Sequence, residues 1–236
     1  MTKKINFYIL TASLILLTSC TSFNVIDKPI SFSETRIDLT KQYIQDHYNI
    51  SVENIEINPK IIVLHWTAVD DFNECFDIFN RETLENSRPD LMTESNSQVN
   101  VSIQFLVARD GEIYRLMPET WMARHVIGLN YNAIGFENVG GGNNIDNLTN
   151  DQVEANIELI KYLKNKYPSI EYLIGHHEYR EFEGHKLWLE INDEYRTVKY
   201  DPGDRFMQLV REGVKELNLK GIDEIRSEIK SKISYK

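Results

Sequence analysis

The chain is poor in cysteine and has no cluster of basic residues. Only Cys20 and Cys75 occur among its 236 residues, which excludes a framework of several disulfides. Lysine and arginine number 26 against 36 acidic residues, and the formal net charge is −10. An acidic chain without a Lys/Arg run is a poor binder of nucleic acid, and it lacks the polybasic patch that binds anionic lipids directly. These absences favour an enzyme, or a protein that binds a ligand other than nucleic acid or anionic lipid.

The N-terminus has the layout of a signal peptide. Lys3 and Lys4 precede an apolar run from about Ile5 to Leu17, which is too short for a typical spanning helix. The segment ends in the sequence LTSC, which resembles the lipobox of bacterial lipoproteins. The resemblance implies that residues 1–19 are a lipoprotein signal peptide and that Cys20 becomes the lipidated first residue of the mature chain. A plain secretory signal that contains a cysteine is the alternative.

Membrane attachment then depends on the lipid carried by Cys20. We expect residues 20–32 to form a lipidated tether and residues 33–236 to form one domain, because this length supports a single substantial core. Acylation of Cys20 leaves Cys75 without an intrachain partner, so a buried free thiol is expected there. Residue 21 is threonine and not the aspartate that retains some enterobacterial lipoproteins at the inner membrane. The outer membrane, with the domain facing the periplasm, is therefore the expected location.

Strand and helix patterns are interspersed along the mature chain. Apolar runs predict strands over residues 60–66, 101–107, 112–116, 133–139 and 172–176. Apolar residues at helical spacing predict helices over residues 34–48, from an N-cap at Thr149, over residues 206–217 and over residues 222–233. This order predicts an α/β fold, a single domain with a mixed central β-sheet flanked by helices.

Two of the predicted strands end in histidine. These are His65 and His176, and a carboxylate, Asp201, follows in the sequence KYDPG. Two imidazoles and one carboxylate make an open zinc site, because catalytic zinc keeps three protein ligands and leaves a fourth position for water. However, no local motif such as His-Glu-x-x-His is present, and a lone strand-end histidine is more often structural or exposed. Spacing alone leaves both interpretations open.

Four short motifs in a fixed order give a more specific signal. They are IVLHWTA from residue 62, AIGFEN from residue 133, IGHHE from residue 174 and KYDPG from residue 199. Together they resemble the zinc-dependent N-acetylmuramoyl-L-alanine amidase family called amidase 2, which also includes phage amidases and the peptidoglycan recognition proteins. The resemblance spans roughly residues 58–212 and implies the fold of that family.

The resemblance also implies a catalytic site. It places one zinc ion per chain on His65, His176 and Asp201. It makes Glu137 the carboxylate that orients or deprotonates the attacking water, and it puts Lys199 where a cation stabilises an oxyanion. These residue types suit the reaction, because a neutral amide needs a nucleophile, an electrophile on its oxygen and a proton for the leaving nitrogen.

Other residues near the motifs receive supporting roles. His125 and Asn138 are expected to contact the substrate. His177 is expected to point away from the metal, because adjacent strand residues face opposite sides of a sheet. We expect His47 to lie on the surface of the first helix. The segment 180–198 is longer than in the simplest members of the family and is interpreted as a lid or a groove wall.

The expected function is hydrolysis of the amide bond between N-acetylmuramic acid and L-alanine, in peptidoglycan or in muropeptides. Two alternatives remain from the sequence. One is a binding module that holds peptidoglycan without cleaving it, and the other is a periplasmic amidase restricted to anhydro-muropeptide fragments. Intact metal ligand positions favour an enzyme over a binding module. The sequence does not indicate an oligomeric state.

Overall fold

The computed structural model describes residues 23–84, 88, 91 and 98–233. The expected signal peptide, residues 1–19, and the expected lipidation site, Cys20, lie outside these residues. Within the described ranges, no helix combines the length and the apolar character that crossing a bilayer requires.

Six strands in the described residues form one mixed sheet. They are β1 (Val25–Asp27), β2 (Ile61–Trp66), β3 (Phe105–Val107), β4 (Ile113–Arg115), β5 (Ala133–Asn138) and β6 (Tyr172–Gly175). Their order across the sheet is β1-β4-β3-β5-β2-β6. Every neighbouring pair is parallel except β3 and β4, which form the predicted hairpin.

Five α-helices flank this sheet within the described ranges. They are α1 (Glu34–Tyr48), α2 (Phe72–Asn80), α3 (Asn150–Lys166), α4 (Asp204–Gly213) and α5 (Ile222–Ile233). The structure thus confirms the predicted α/β class, a single domain with a mixed central sheet between helices. Thr149 is the N-cap of α3, as predicted, and it forms a capping box with Gln152. Helix α2 was not predicted, although its N-cap Asp71 accepts a hydrogen bond from the backbone N–H of Glu74 at 2.8 Å.

The central strand β2 is buried at each of its six residues. Such a strand is mostly apolar because both faces of the sheet are covered, and His65 is its one polar residue. Ile62 and Leu64 belong to the main core, together with apolar side chains of α3 and α4. Ile61 and Val63 belong to a second buried cluster, which includes Tyr179 and residues of α5. The strand is therefore rigidly held, and the polar residue near its end has a fixed position.

Several predicted boundaries were wrong. The tether was expected to reach residue 32, but Val25–Asp27 pair with β4, and the ring of Phe23 stacks on Tyr162 with 4.9 Å between centroids. The second strand was expected over 101–107, but it begins at Phe105, because the backbone of Ser102 bonds to the carbonyl of Arg124 instead of to a neighbouring strand. The ordered domain therefore begins before residue 33.

The ends of two other elements also differ from the prediction. His176 was expected to end a strand, but it begins a 3₁₀ helix over His176–Phe182. The helix expected over 206–217 ends at Gly213, and a separate 3₁₀ turn follows over Lys215–Leu217. His47 was expected to be exposed, but it is 1% exposed.

The segment 180–198 folds back onto the domain. The carboxylate of Glu190 lies 3.0 Å from Nδ1 of His47, and both side chains are buried. Nε2 of His185 lies 2.9 Å from the carboxylate of Glu228 on α5. The backbone N–H of Leu189 bonds to the carbonyl of Gly128 at 2.9 Å. These three contacts hold the segment against the rest of the domain.

Candidate metal centre

Three strands deliver polar side chains to one edge of the sheet. In the parallel register of β2 and β5, His65 is the partner of Glu137. In the register of β2 and β6, Leu64 is the partner of Gly175, so His176 follows at the next position. The carboxyl ends of parallel strands meet at the same edge, where ligand sites of α/β sheets usually lie. The sequence motifs around these residues therefore come together in space.

The side chains of His65, His176 and Asp201 converge within bonding distance of a single ion. Nδ1 of His65 lies 2.9 Å from Nδ1 of His176. Oδ2 of Asp201 lies 3.1 Å from Nδ1 of His176 and 3.4 Å from Nδ1 of His65. Tetrahedral zinc binds such ligands at about 2.0–2.2 Å, so its ligand atoms stand about 3.3 Å apart. The donor set and its spacing thus fit a zinc ion. Among the residues that the structure describes, these three form the cluster that could hold a metal ion.

Neighbouring groups fix the orientation of these three side chains. Nε2 of His65 lies 2.9 Å from Nδ1 of His125. The backbone carbonyl of Asp201 accepts hydrogen bonds from the backbone N–H of His177 at 2.8 Å and from its Nδ1 at 3.0 Å. Such outer partners orient metal ligands and select the tautomer of a histidine. His177 lies outside the cluster, as expected, although it stands in a 3₁₀ turn and not in a strand.

The protonation states of the cluster suit metal binding. Burial lowers the pKa of His176 to about 4, although the charge of Asp201 acts in the opposite direction. Burial likewise lowers the pKa of His65. Burial alone would raise the pKa of Asp201, but its contacts with His176 and His65 outweigh burial and hold it far below its usual range. Two neutral imidazoles and one carboxylate are the forms in which these residues bind metals.

A groove of about 480 Å³ opens over the cluster. Glu137 and Lys199 line it together with His125, His176 and Asp201. Burial, followed by the charge of Asp201, raises the pKa of Glu137 well above its usual value, and Lys199 opposes this shift. Oε2 of Glu137 is buried and has no hydrogen-bond partner among the described residues. The groove therefore presents an acid–base group and a cation beside the three converging ligands.

The prediction that Asn138 contacts the substrate was wrong. Asn138 is 0% exposed, and its side chain bonds to the backbone carbonyl of His65 at 3.0 Å and to Asn156 on α3. Its place in β5 explains this, because Glu137 faces the groove and the next residue must face the other side of the sheet. Asn138 supports the end of β2 and does not line the groove.

Two arginines of the groove were missed by sequence analysis. Arg81 and Arg88 line the groove, and the charge of Arg88 lowers the pKa of Glu137 against the larger effects of burial and of Asp201. No sequence signal marked them, because they stand outside the four motifs.

Cys75 is a buried free thiol, as expected, and it also lines the groove.

The model of the N-acetylmuramoyl-L-alanine amidase family matches residues 56–204 of the chain. No curated protein matches the chain. Among solved structures, the amidase LysC of Clostridium intestinale is 22% identical, with 84% of this chain and 99% of that chain covered and a TM-score of 0.48. The peptidoglycan recognition protein SA of bumblebee is 17% identical, with coverages of 80% and 93% and a TM-score of 0.45. The Ph2119 endolysin of a Thermus scotoductus bacteriophage is 18% identical, with coverages of 81% and 99% and a TM-score of 0.43.

Proposed function

The chain belongs to the N-acetylmuramoyl-L-alanine amidase family, and from this membership we propose that it is a zinc-dependent enzyme that cleaves the amide bond between N-acetylmuramic acid and L-alanine. Its substrate is peptidoglycan or the muropeptides released from it. One observation carries the proposal: the ring nitrogens of His65 and His176 and the carboxylate of Asp201 lie within 3.4 Å of one another. The same groove holds the two further groups that amide hydrolysis needs.

His65, His176 and Asp201 would hold one zinc ion per chain. A bound zinc ion supplies Lewis acidity, which polarises an amide carbonyl and allows water to act as a nucleophile near neutral pH. The protein's own contribution is to keep these three side chains oriented. His125 does so for His65, and His177 does so for Asp201.

Glu137 is the proposed acid–base group. Its buried and unpartnered Oε2 is available to accept a proton from the attacking water. The same oxygen then returns that proton to the leaving nitrogen of L-alanine, which makes the amine a better leaving group. Burial raises the pKa of Glu137, which favours the protonated form that delivers a proton to the leaving nitrogen.

Lys199 is the proposed stabiliser of the oxyanion. It stands two residues before Asp201, and both residues line the groove. When water adds to the amide carbonyl, negative charge develops on the carbonyl oxygen. A fixed ammonium group in a partly dry groove stabilises that charge without further reorganisation. His125, on the same groove, is the remaining candidate for a substrate contact.

We also propose that the enzyme is anchored by a lipid on Cys20, in the outer membrane and facing the periplasm. The support is the lipobox-like sequence that ends in Cys20. The domain starts soon after it, because Phe23 already packs on Tyr162. Each extended residue spans at most about 3.6 Å, so the few residues between Cys20 and Phe23 would keep the domain close to the bilayer. A lipid-free variant, Cys20→Ser, is expected to leave the membrane fraction.

Digestion of two substrates tests the proposed activity. The purified protein is incubated with intact sacculi and separately with anhydro-muropeptides, with and without a zinc chelator, and products are identified by mass spectrometry. We expect peptides that begin with a free L-alanine amine, and no such product with chelator or with the variant Asp201→Ala. Cleavage that survives both treatments would exclude the metal mechanism.

The same experiment separates the alternatives. Binding of sacculi without any cleavage by the zinc-loaded protein would indicate a binding module. Cleavage of anhydro-muropeptides but not of sacculi would restrict the enzyme to released fragments. An active enzyme is favoured because the cluster holds three competent ligands and the groove also holds Glu137 and Lys199.

A further inference from the structure

Lys199 and Asp201 stand on a segment without regular secondary structure. Residues 196–201 belong to no helix or strand, and they lie at the C-terminal end of the long segment between His176 and Asp201. An ammonium group stabilises an oxyanion only when it is already in place. Some contact outside this segment must therefore fix its backbone.

The hydroxyl group of Tyr179 supplies such a contact. It donates a hydrogen bond to the backbone carbonyl of Thr197 at 2.7 Å and accepts one from the backbone N–H of the same residue at 2.9 Å. One phenol thus satisfies both backbone polar groups of Thr197. Tyr179 is 1% exposed, and its ring stacks on Trp188 with 6.1 Å between centroids. The phenol is therefore a rigid support.

Tyr179 and His177 hold the segment on both sides of Lys199. Tyr179 is hydrogen-bonded to the backbone of Thr197, two residues before Lys199. His177 is hydrogen-bonded to the carbonyl of Asp201, two residues after Lys199. Both supports belong to the 3₁₀ helix that begins with His176. The same short helix thus carries one ligand of the metal cluster and sets the backbone that carries Lys199.

We propose that Tyr179 is a positioning residue, which acts through Lys199 by fixing Thr197. This inference rests on the proposed amidase activity. Tyr179 is not itself a catalytic residue, because its hydroxyl is committed to Thr197. The bond from Tyr179 fixes the C-terminal end of the 180–198 segment next to Lys199.

The variant Tyr179→Phe tests the proposal, because it keeps the ring and removes only the hydroxyl. We expect kcat to fall about tenfold or more, since displacement of a catalytic group by about 1 Å costs on the order of 100-fold in rate. KM and zinc content are expected to stay within about twofold of the wild type, as they would after loss of an interaction made only in the transition state. The matched control is Tyr172→Phe, which removes a buried phenol bonded to Glu228 and should leave kcat unchanged.

A double-mutant cycle separates positioning from general stability. In the background of Lys199→Ala, the change Tyr179→Phe should lower the residual kcat by less than about twofold, because residues that act through one another are not additive. A loss as large in the Lys199→Ala background as in the wild type would overturn the proposal. An unchanged kcat in Tyr179→Phe, or a loss explained by reduced zinc content, would also overturn it.

Hydrogen exchange at the amide of Thr197 gives a readout that does not depend on activity. In the wild type this amide is bonded to the hydroxyl of Tyr179, and in Tyr179→Phe it should exchange faster, whereas Tyr172→Phe should leave it unchanged. Equal exchange rates in Tyr179→Phe and in the wild type would contradict the contact itself. If the wild type cleaves no amide, the proposed function fails. If the wild type is active and Tyr179→Phe is equally active, only this inference fails.

Discussion

The side-chain amide of Asn138 donates a hydrogen bond to the backbone carbonyl of His65 at 3.0 Å. This bond crosses from β5 to β2 at the point where β2 ends. The other side of Asn138 is occupied by Asn156 of α3, whose amide donates to Oδ1 of Asn138 at 2.7 Å. A buried pair of asparagines therefore links helix α3 to the backbone of the first proposed zinc ligand.

Replacing Asn138 by alanine is expected to affect stability and not substrate binding. The change removes one hydrogen bond from the buried carbonyl of His65 and one from the buried amide of Asn156, which costs about 1–3 kcal/mol in the free energy of unfolding. Denaturant unfolding measures this loss, and Asn156→Ala serves as a matched variant because it breaks the same pair from the helix side. A large rise in KM with unchanged stability would contradict this prediction and would restore Asn138 as a substrate contact.

Replacing Glu137 by glutamine is expected to lower the rate and to leave the metal site intact. Glutamine has nearly the same shape but does not accept a proton from water, and general acid–base groups contribute about 10²–10⁴-fold to rate. Steady-state kinetics on a muropeptide should show this loss in kcat, with zinc content equal to that of the wild type. Glu154→Gln is the control, because Glu154 is exposed on α3. Unchanged turnover in Glu137→Gln would remove Glu137 from the mechanism.

The acid stability of the domain is expected to depend on Glu228. Burial acts to raise the pKa of this carboxyl, but hydrogen bonds from Lys220, Tyr172 and His185 outweigh burial and lower the pKa from 4.5 to about 2. Because the pKa is lower in the folded state, the ionised carboxylate stabilises the fold above pH 4.5, and this stabilisation is lost as the pH falls towards 2.

Comparison of the wild type with Glu228→Gln at two pH values measures this dependence. The wild type should exceed the variant in free energy of unfolding at pH 5.5, and the difference should shrink at pH 3, as long as both remain folded there. Glutamine offers one acceptor oxygen where Glu228 offers two, so the variant also loses a hydrogen bond from Lys220 or from Tyr172 and His185. The change of the difference with pH, and not its size at one pH, therefore reports the charge. A difference that is equal at both pH values would show that Glu228 does not titrate as described.

The parts of the site that could be predicted from sequence are those carried by single strands. An apolar strand that ends in a polar residue places that residue at the sheet edge, and this rule placed His65 there. Glu137 was placed at the site by the family resemblance, and the structure pairs it with His65 across β2 and β5. Adjacent residues of a strand face opposite sides of the sheet, so a groove-facing Glu137 predicts that Asn138 points away from the groove. The error at Asn138 came from the family motif, which does not show which of two adjacent residues faces the substrate.

Contacts between distant segments were beyond prediction. His47 and Glu190 are 143 residues apart and form a buried pair, so neither looks unusual in its own segment. Strand β3 begins only at Phe105, because the backbone N–H of Ser102 bonds to the backbone carbonyl of Arg124 and not to a neighbouring strand. Helix α2 had a local signal in Asp71 and Glu74, but tertiary packing decides whether such a short helix forms.

The most direct test of the central claim is an anomalous-scattering map of crystals of the zinc-loaded protein, recorded at the zinc absorption edge. We expect one strong peak per chain, at about 2.0–2.2 Å from Nδ1 of His65, Nδ1 of His176 and a carboxylate oxygen of Asp201. A peak bound by other residues, or an active enzyme with no peak between these three side chains, would contradict it.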